Sequence, residues 1–404
     1  MTMRPFKRLM SRASALEIIS ENTRPVERVE RVPITDAAGR VLAEETVAEA
    51  HVPPFDRSSM DGYAVRAEDT FGAGSTSPKK LKLIGVQHAG EHYEGEVGNG
   101  VCVQVATGSP VPKGSDAVVM VEYTKTDGVN VEIQKPVYPG SNISLEGEDI
   151  KKGEKVISPG EVLTPGKLGV LAALNRETVQ VYERPQVVVF STGTEVRPLG
   201  AELSPGQIYD INSYTVSAVI SANGCIPIVK GIVRDDEEDL KMAIEEASRH
   251  DMGVFSGGSS VGEKDLFVDI IEGLGEMLFH GVQVKPGKPT LFGLVSGTPI
   301  FGMPGYPTSC LSNSYIFLRP ALRRLAGLPQ LEPRVVTARM GSRVVSSSGR
   351  EQFLTVRLKG GVAHTVFKKS GAITSMANAD GYVILPVDLD VIDEGEEVQV
   401  TLLE

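Results

Sequence analysis

The spacing of apolar residues changes character three times along the chain. In residues 14–23, Leu16, Ile18 and Ile19 recur at helical spacing and predict a short amphipathic helix. From about residue 51 to residue 135 the pattern becomes short alternating apolar runs separated by Gly and Pro. Strands are expected there at 81–86, 101–107, 117–123 and 129–133, with no long helix. Residues 144–181 read as glycine-punctuated turns with one candidate helix at 168–174, which returns to pack on the first segment.

Residues 184–329 have a different rhythm. An unbroken apolar strand at 186–190 precedes a helix at 212–223, with Asn212 or Ser213 as its cap. A strand at 226–229, a charged helix at 236–250, a strand at 252–256, a Gly/Ser loop and a helix at 266–272 follow. Strands at 290–295 and 299–301 and one long helix at 308–325 complete the region. Continuous apolar strands alternating with helices predict a mostly parallel three-layer α/β arrangement, its sheet covered on both faces. Beyond residue 333, short strands at 334–339, 353–358, 382–385 and 397–402 fit a small barrel or sandwich. No repeat of fixed period is present.

A length of 404 residues, at about 150 per domain, suggests two to three domains. The order of segments raises this to four. Residues 1–50 and 145–182 form a discontinuous linking domain, and 51–144 an inserted β-rich domain. Residues 183–330 form the α/β domain and 331–404 a C-terminal β-barrel-like domain. The expected class is therefore multidomain α/β plus β.

Charge narrows the partners. The chain carries 41 Lys+Arg against 52 Asp+Glu, a formal net of −11. That balance argues against a nucleic-acid or membrane-surface protein, which needs a basic face. It leaves room for a small-anion site, because such a site needs only a few local cations. Cys102, Cys225 and Cys310 are far apart and in no Cys-x-x-Cys pattern, so neither a disulfide framework nor a cysteine zinc site is expected. No apolar run approaches the roughly 18 residues of a membrane span. The basic start of the chain lacks the apolar stretch of a signal peptide, and a cytoplasmic protein is expected.

In a parallel α/β sheet, ligands bind outside the carboxyl ends of the strands. Here the first strand runs into Ser191-Thr192-Gly193-Thr194-Glu195 and the second into Arg234-Asp235-Asp236. The third ends in Ser256-Gly257-Gly258-Ser259-Ser260-Val261-Gly262, followed by Glu263, Lys264 and Asp265. Asp235 and Asp236 also suit the plain role of capping the charged helix. Glycine-rich loops are ordinary strand-to-helix connections, and this one matches neither the P-loop nor the dinucleotide-binding spacing. With carboxylates beside it, however, the loop suits a phosphate held partly through Mg2+, which takes oxygen ligands.

Two stiff turns add to the picture. Lys285-Pro286-Gly287-Lys288-Pro289 sets two lysines three apart in a segment held by two prolines. They are either solvated surface lysines or fixed anion ligands; restricted backbone freedom favours the second. A lysine 4 Å from an anion is worth about 4 kcal/mol at an effective dielectric of 20. Charges beyond the roughly 8 Å Debye length are largely screened, so the net −11 does not forbid such a site. Gly302-Met303-Pro304-Gly305-Tyr306-Pro307-Thr308-Ser309 forms the second turn, with Ser309 offering a hydroxyl. The six histidines are scattered, and Gly90 between His88 and His92 disfavours a helical zinc pair.

Four motifs in order carry a resemblance over nearly the whole chain. They are Phe55-Asp56-Arg57-Ser58-Ser59-Met60-Asp61-Gly62-Tyr63-Ala64, the loop from Ser256 to Asp265, the two-lysine turn, and Met303-Pro304-Gly305-Tyr306-Pro307-Thr308-Ser309. Together they resemble the molybdopterin molybdenumtransferase family, which includes MoeA and the E domain of gephyrin. The resemblance implies an elongated, four-domain homodimer with shared active sites. It implies an enzyme that takes adenylylated molybdopterin and molybdate, inserts the metal at the dithiolene and releases AMP using Mg2+.

By position, Asp61 and Thr107 are expected to come from the second subunit. Glu195, Asp235 and Asp265 handle the Mg2+-bound pyrophosphate, with Glu195 and Asp265 as metal ligands, and Lys285 neutralises phosphate charge. Asp149, Ser256, Gly257, Gly258, Ser259, Pro304 and Pro307 contact substrate, while Lys288, Ser309 and Ser370 lie near the molybdate. Two departures stand out. Tyr306 replaces a frequent Asn, and Thr355 replaces a frequent Arg, for which Arg357 on the same strand face is a candidate substitute. Tungstate is an alternative oxyanion. Rival readings are the related molybdopterin adenylyltransferase, which is also a candidate partner protein, and a gephyrin-like scaffold. The flanking regions oppose the first, and the lack of an added linker opposes the second.

Overall fold

The computed structural model describes residues 9–257, 266–346 and 349–403. The chain divides into two compact units. One contains residues 1–30, 39–41 and 180–404, the other residues 31–38 and 42–179. No helix among the described residues is long and apolar enough to cross a membrane.

The larger unit is built on a six-stranded sheet. In spatial order its strands are Ile226–Val233, Gln186–Thr192, Met252–Ser256, Thr298–Met303, Leu291–Val295 and Gly275–His280. The first four run parallel; Leu291–Val295 runs antiparallel to them, and Gly275–His280 runs antiparallel to Leu291–Val295. Strand Gly275–His280 escapes the periodicity, because it follows the helix Leu266–Leu274 without a break and its apolar residues are too few to mark it.

Alternate residues of each strand enter different cores, since successive side chains point to opposite faces. Val187 and Val189 join the helices Asn212–Ala222 and Arg319–Leu325, together with Ala15 and Ile19 of the N-terminal helix Arg12–Glu21. Val188 and Phe190 join Leu240 and Ile244 of Glu237–Ala247 and Phe267 and Ile271 of Leu266–Leu274. Phe255 anchors this second core, stacked on Phe190 at 4.9 Å and edge-on to Phe267 at 4.9 Å. The N-terminal segment is tied down by Arg28, whose guanidinium donates to both Asp251 oxygens at 2.9 Å and to Glu183 at 2.8 Å.

Two sequence expectations need correction. Neither Asn212 nor Ser213 caps the helix Asn212–Ala222. Asp210 takes that part, its Oδ1 accepting from the Ser213 N–H at 3.0 Å. The expected single helix at 308–325 is α-helical over Pro307–Asn313 and Arg319–Leu325, with a π turn over Ser314–Leu318 between them. Pro320 supplies the reason: it lacks an N–H and its ring crowds the preceding turn, which a widened turn relieves.

The C-terminal strands of this unit close into a barrel. Glu351–Lys359, Val362–Thr365, Val335–Met340, Glu397–Leu402 and Gly381–Leu385 pair in that order, and the last pairs back onto the first. A short strand from the α/β region, Val284–Lys285, pairs in parallel with Glu351 and Gln352 of the barrel.

The smaller unit is a six-stranded sheet. Its order is Ala117–Met120, Gly62–Val65, Val101–Val105, Lys79–Gln87, Asn130–Ile133 and Thr124–Thr126. Tyr63, Val65 and Cys102 pack on one face and Ala64, Val103 and Val105 on the other. Gly62 is obligatory, since a Cβ there would lie 2.0 Å from the Val119 carbonyl oxygen.

Phe255→Ala is expected to destabilise the α/β core by about 3–5 kcal/mol through the cavity it leaves. Denaturant unfolding followed by a probe in this unit checks it. A loss below about 1 kcal/mol would show that the aromatic cluster does not anchor the sheet.

Candidate active site

Strand register brings the predicted loops to one edge. Thr192 pairs with Val233, Ser191 with Ser256, and Ser256 with Met303, so all four parallel strands end at one level. Glu195, Asp235, Gly257 and Pro304 follow within three residues of those ends.

Beneath this edge lies a buried polar network that periodicity gave no reason to expect. The Ser191 hydroxyl donates to Asp210 Oδ1 at 2.8 Å and lies 2.9 Å from the Ser213 hydroxyl and 3.1 Å from that of Ser256. All four residues are buried. The available signal was the serine that ends an otherwise apolar strand, which needs partners once buried.

Above the network the loops meet backbone to backbone. Gly257 has φ +98°, and a Cβ there would stand 2.4 Å from the Thr192 carbonyl oxygen and 2.8 Å from its hydroxyl. The Gly257 N–H donates to the Met303 carbonyl at 3.1 Å, and Asn212 Nδ2 donates to the Gly305 carbonyl at 2.9 Å. Gly193, at φ +134°, lets Glu195 fold back over it; a Cβ would come within 2.8 Å of the carboxylate. Buried Thr192 Oγ1 and Asn212 Oδ1 have no hydrogen-bond partner.

The two aspartates after the second strand separate in role. Asp236 caps the helix Glu237–Ala247, accepting from the Asp239 N–H at 2.9 Å. Asp235 lies within the field of the Glu195 charge instead. The protein crowding its carboxyl raises its pKa, and the Glu195 charge raises it further. Two neighbouring carboxylates with mutual repulsion make an oxygen donor set that a hard divalent cation relieves. The third predicted carboxylate, Asp265, and the predicted Gly258 and Ser259 lie outside the described residues.

The helix Pro307–Asn313 links this edge to the two-lysine turn. At its start, the Thr308 N–H donates to the Ser370 carbonyl at 2.9 Å and the Thr308 hydroxyl to the Ala372 carbonyl at 2.8 Å. Those bonds bring the Ser370 segment of the barrel beside Ser309, which is buried. Pro304 is buried and Pro307 half-buried. Exposed Tyr306 makes no side-chain cap bond, and its ring lies beside Gly371. At the helix end, Asn313 reaches the turn that carries half-buried Lys285 and Lys288.

Arg357 is engaged within the barrel: its Nε and Nη2 donate to the Asn378 carbonyl and side-chain oxygens, each at 3.0 Å. Thr355 is buried with its hydroxyl unpartnered.

In the smaller unit, Asp61 precedes the strand Gly62–Val65 and Thr107 follows Val101–Val105. The Gly62–Val105 pairing brings the two together. Asp61 Oδ1 accepts from the Thr107 N–H at 2.7 Å and from its hydroxyl at 2.9 Å, and these bonds hold the carboxyl below its usual range. Asp149 is exposed in the same unit, its N–H donating to the Val52 carbonyl at 3.0 Å. Burial pushes all three thiols up to about 12, so none is poised as a nucleophile.

Family models match three consecutive stretches: a MoeA N-terminal region (domain I and II) at residues 10–175, a probable molybdopterin binding domain at 188–324, and a MoeA C-terminal region (domain IV) at 337–403. The chain belongs to the MoeA family. It is 34% identical over 415 residues to a putative molybdopterin biosynthesis protein of Methanocaldococcus jannaschii, covering 100% of both chains. It is 32% identical over 383 residues to the molybdopterin molybdenumtransferase of Staphylococcus aureus (strain COL), covering 92% of this chain and 91% of the relative. A solved molybdopterin biosynthesis MoeA protein from Pyrococcus horikosii superposes with TM-score 0.84 at 42% identity, over 98% of this chain and 100% of the other.

Two carboxyl titrations test the geometry, each followed by carbon-13 NMR. Thr107→Ala removes one of the two bonds to Asp61, so Asp61 is expected to titrate at higher pH; an unmoved titration would show that the backbone bond alone sets it. Glu195→Gln removes the neighbouring charge, so Asp235 is expected to titrate at lower pH. No movement there would disprove the pairing of these two groups.

Proposed function

We propose that this MoeA-family enzyme inserts molybdate into adenylylated molybdopterin and releases AMP in the cytoplasm, with Mg2+ as the cofactor. The observation that carries this reading is the register that ends the strands leading to Glu195, Asp235 and Gly257 at one level, in a unit that also fixes two lysines on a stiff turn. The family supplies the pterin and the metal; the residues supply the anion chemistry.

Glu195 and Asp265 would hold Mg2+ against the pyrophosphate, with Asp235 helping to handle the Mg2+-bound group. When bound, the ion supplies neutralisation of phosphate charge as the phosphoanhydride breaks. Lys285 adds positive charge at the phosphates without needing to transfer a proton. Ser256 and Gly257, with Gly258 and Ser259, would receive the substrate phosphates. Pro304 and Pro307 shape the neighbouring wall, and Asp149 contributes a further substrate contact.

Molybdate is a tetrahedral dianion and wants charged and hydroxyl donors. Lys288, Ser309 and Ser370 would hold it, with Arg357 as an additional cation if it leaves Asn378. Tungstate has the same charge and shape and is expected to compete. No step requires a protein thiolate, in keeping with the three buried thiols.

The same proposal includes a homodimer in which Asp61 and Thr107 of one subunit serve the site of the other. The low Asp61 pKa keeps that carboxylate charged well into the acid range, ready to accept hydrogen bonds. A molybdopterin adenylyltransferase is the expected supplier of substrate.

Anaerobic incubation with adenylylated molybdopterin, molybdate and Mg2+ is expected to release AMP, and its absence would falsify the enzymatic reading. Lys288→Ala removes a charge-assisted contact of about 1.5–3 kcal/mol, so the molybdate KM is expected to rise about tenfold to 150-fold.

A further inference from the structure

We infer that Asn313 is a positioning residue for the two-lysine turn, setting where Lys288 places its charge. This rests on the proposed role of Lys288 toward the oxyanion and goes beyond it, because Asn313 touches no proposed substrate group itself.

Two donors converge on one backbone carbonyl, and a third bond joins the two donors. Asn313 Nδ2 donates to the Gly287 carbonyl at 2.8 Å and to the Thr290 hydroxyl oxygen at 2.5 Å. The Thr290 hydroxyl in turn donates to the same Gly287 carbonyl at 3.0 Å. Both atoms facing the amide nitrogen are acceptors toward it, so the amide orientation is fixed by its partners. Asn313 and Thr290 are fully buried, where these bonds compete with no water.

The fit is also steric. Gly287 has φ +100°, and a Cβ there would lie 2.2 Å from Asn313 Nδ2 and 2.6 Å from its Oδ1. The amide therefore lies flat on the glycine, and the glycine is required by the amide. On either side the turn is already held: Lys285 by strand pairing with Gln352, and the Lys288 carbonyl by the Val282 N–H at 2.9 Å. Gly287 is one of the two residues between the lysine anchors, and Asn313 holds it.

Asn313 also fixes the turn relative to Ser309. The two are four residues apart on one helix, hence on the same face and about 6 Å apart along the axis. The helix that presents the Ser309 hydroxyl thus clamps the lysine turn one turn further on. Lys288 and Ser309 thereby share a common frame through Asn313.

Two variants press on the contact from opposite sides: Asn313→Ala removes the amide, and Gly287→Ala displaces it. Both are expected to raise the molybdate KM about fivefold or more while kcat for AMP release stays within about twofold. Circular dichroism and thermal midpoints confirm folding, and Asn313→Asp serves as a second variant at the same site. It sets a carboxylate against the Gly287 carbonyl and is expected to raise KM at least as far as Asn313→Ala.

The double variant Lys288→Ala with Asn313→Ala decides between positioning and mere stability. If Asn313 acts through Lys288, the double variant has the same KM as Lys288→Ala alone. Multiplying effects, or a fall in kcat with KM unchanged, would overturn the proposal. If Lys288→Ala itself leaves KM unchanged, the oxyanion role of Lys288 falls first and the proposal falls with it.

Discussion

The close approach of Gly257 to Thr192 is the constraint on which the site depends. Side chains cannot stand between two backbones whose hypothetical Cβ contact is 2.4 Å, so three strand-end loops must share one small volume. That forces each loop's polar atoms either inward, into the Ser191–Asp210–Ser213–Ser256 network, or outward, where Glu195 and Asp235 crowd each other. Glycines at 193, 257 and 287 each sit at positive φ with a functional side chain or backbone oxygen pressed against them. Their value lies in what they let come close, more than in freedom of the chain.

Charge is arranged locally against the global balance. A net of −11 spread over the surface coexists with Lys285 and Lys288 on a turn that the fold holds from three directions. Screening weakens distant carboxylates far more than it weakens a lysine in contact with an anion. The Glu195 charge that helps raise the Asp235 pKa belongs to the same design: carboxylates at neighbouring strand ends are what a divalent ion relieves.

The barrel is part of the site through its packing. Lys285 adds its short strand to the barrel strand Glu351–Lys359, and the Ser370 segment returns onto Thr308 through two hydrogen bonds. The second contact lies on the helix Pro307–Asn313, which carries Ser309 at one turn and, at the next, Asn313, whose amide meets the lysine turn. A short helix is thereby bonded at one end to the barrel and at the other to the lysine turn.

Periodicity alone placed most elements, including the parallel strands and the charged helix, because alternation and helical spacing reflect burial that each segment undergoes wherever it packs. Residue chemistry at the strand ends marked Glu195, Asp235, Ser256 and the two lysines, since ligands collect at that edge of such a sheet. The strand Gly275–His280 escaped because it follows a helix without a break, the Asp210 cap because it stands two residues ahead of the helix it caps, and the π turn because helical spacing alone does not register the ring of Pro320. The sequence by itself determined which residue types could do anion chemistry and in which segments they lay. Only the tertiary structure decided that Asp235 lies within the field of Glu195, that Arg357 is engaged by Asn378, and that Asn313 grips Gly287. Those assignments are set by three-dimensional proximity between segments, which spacing along a chain does not encode.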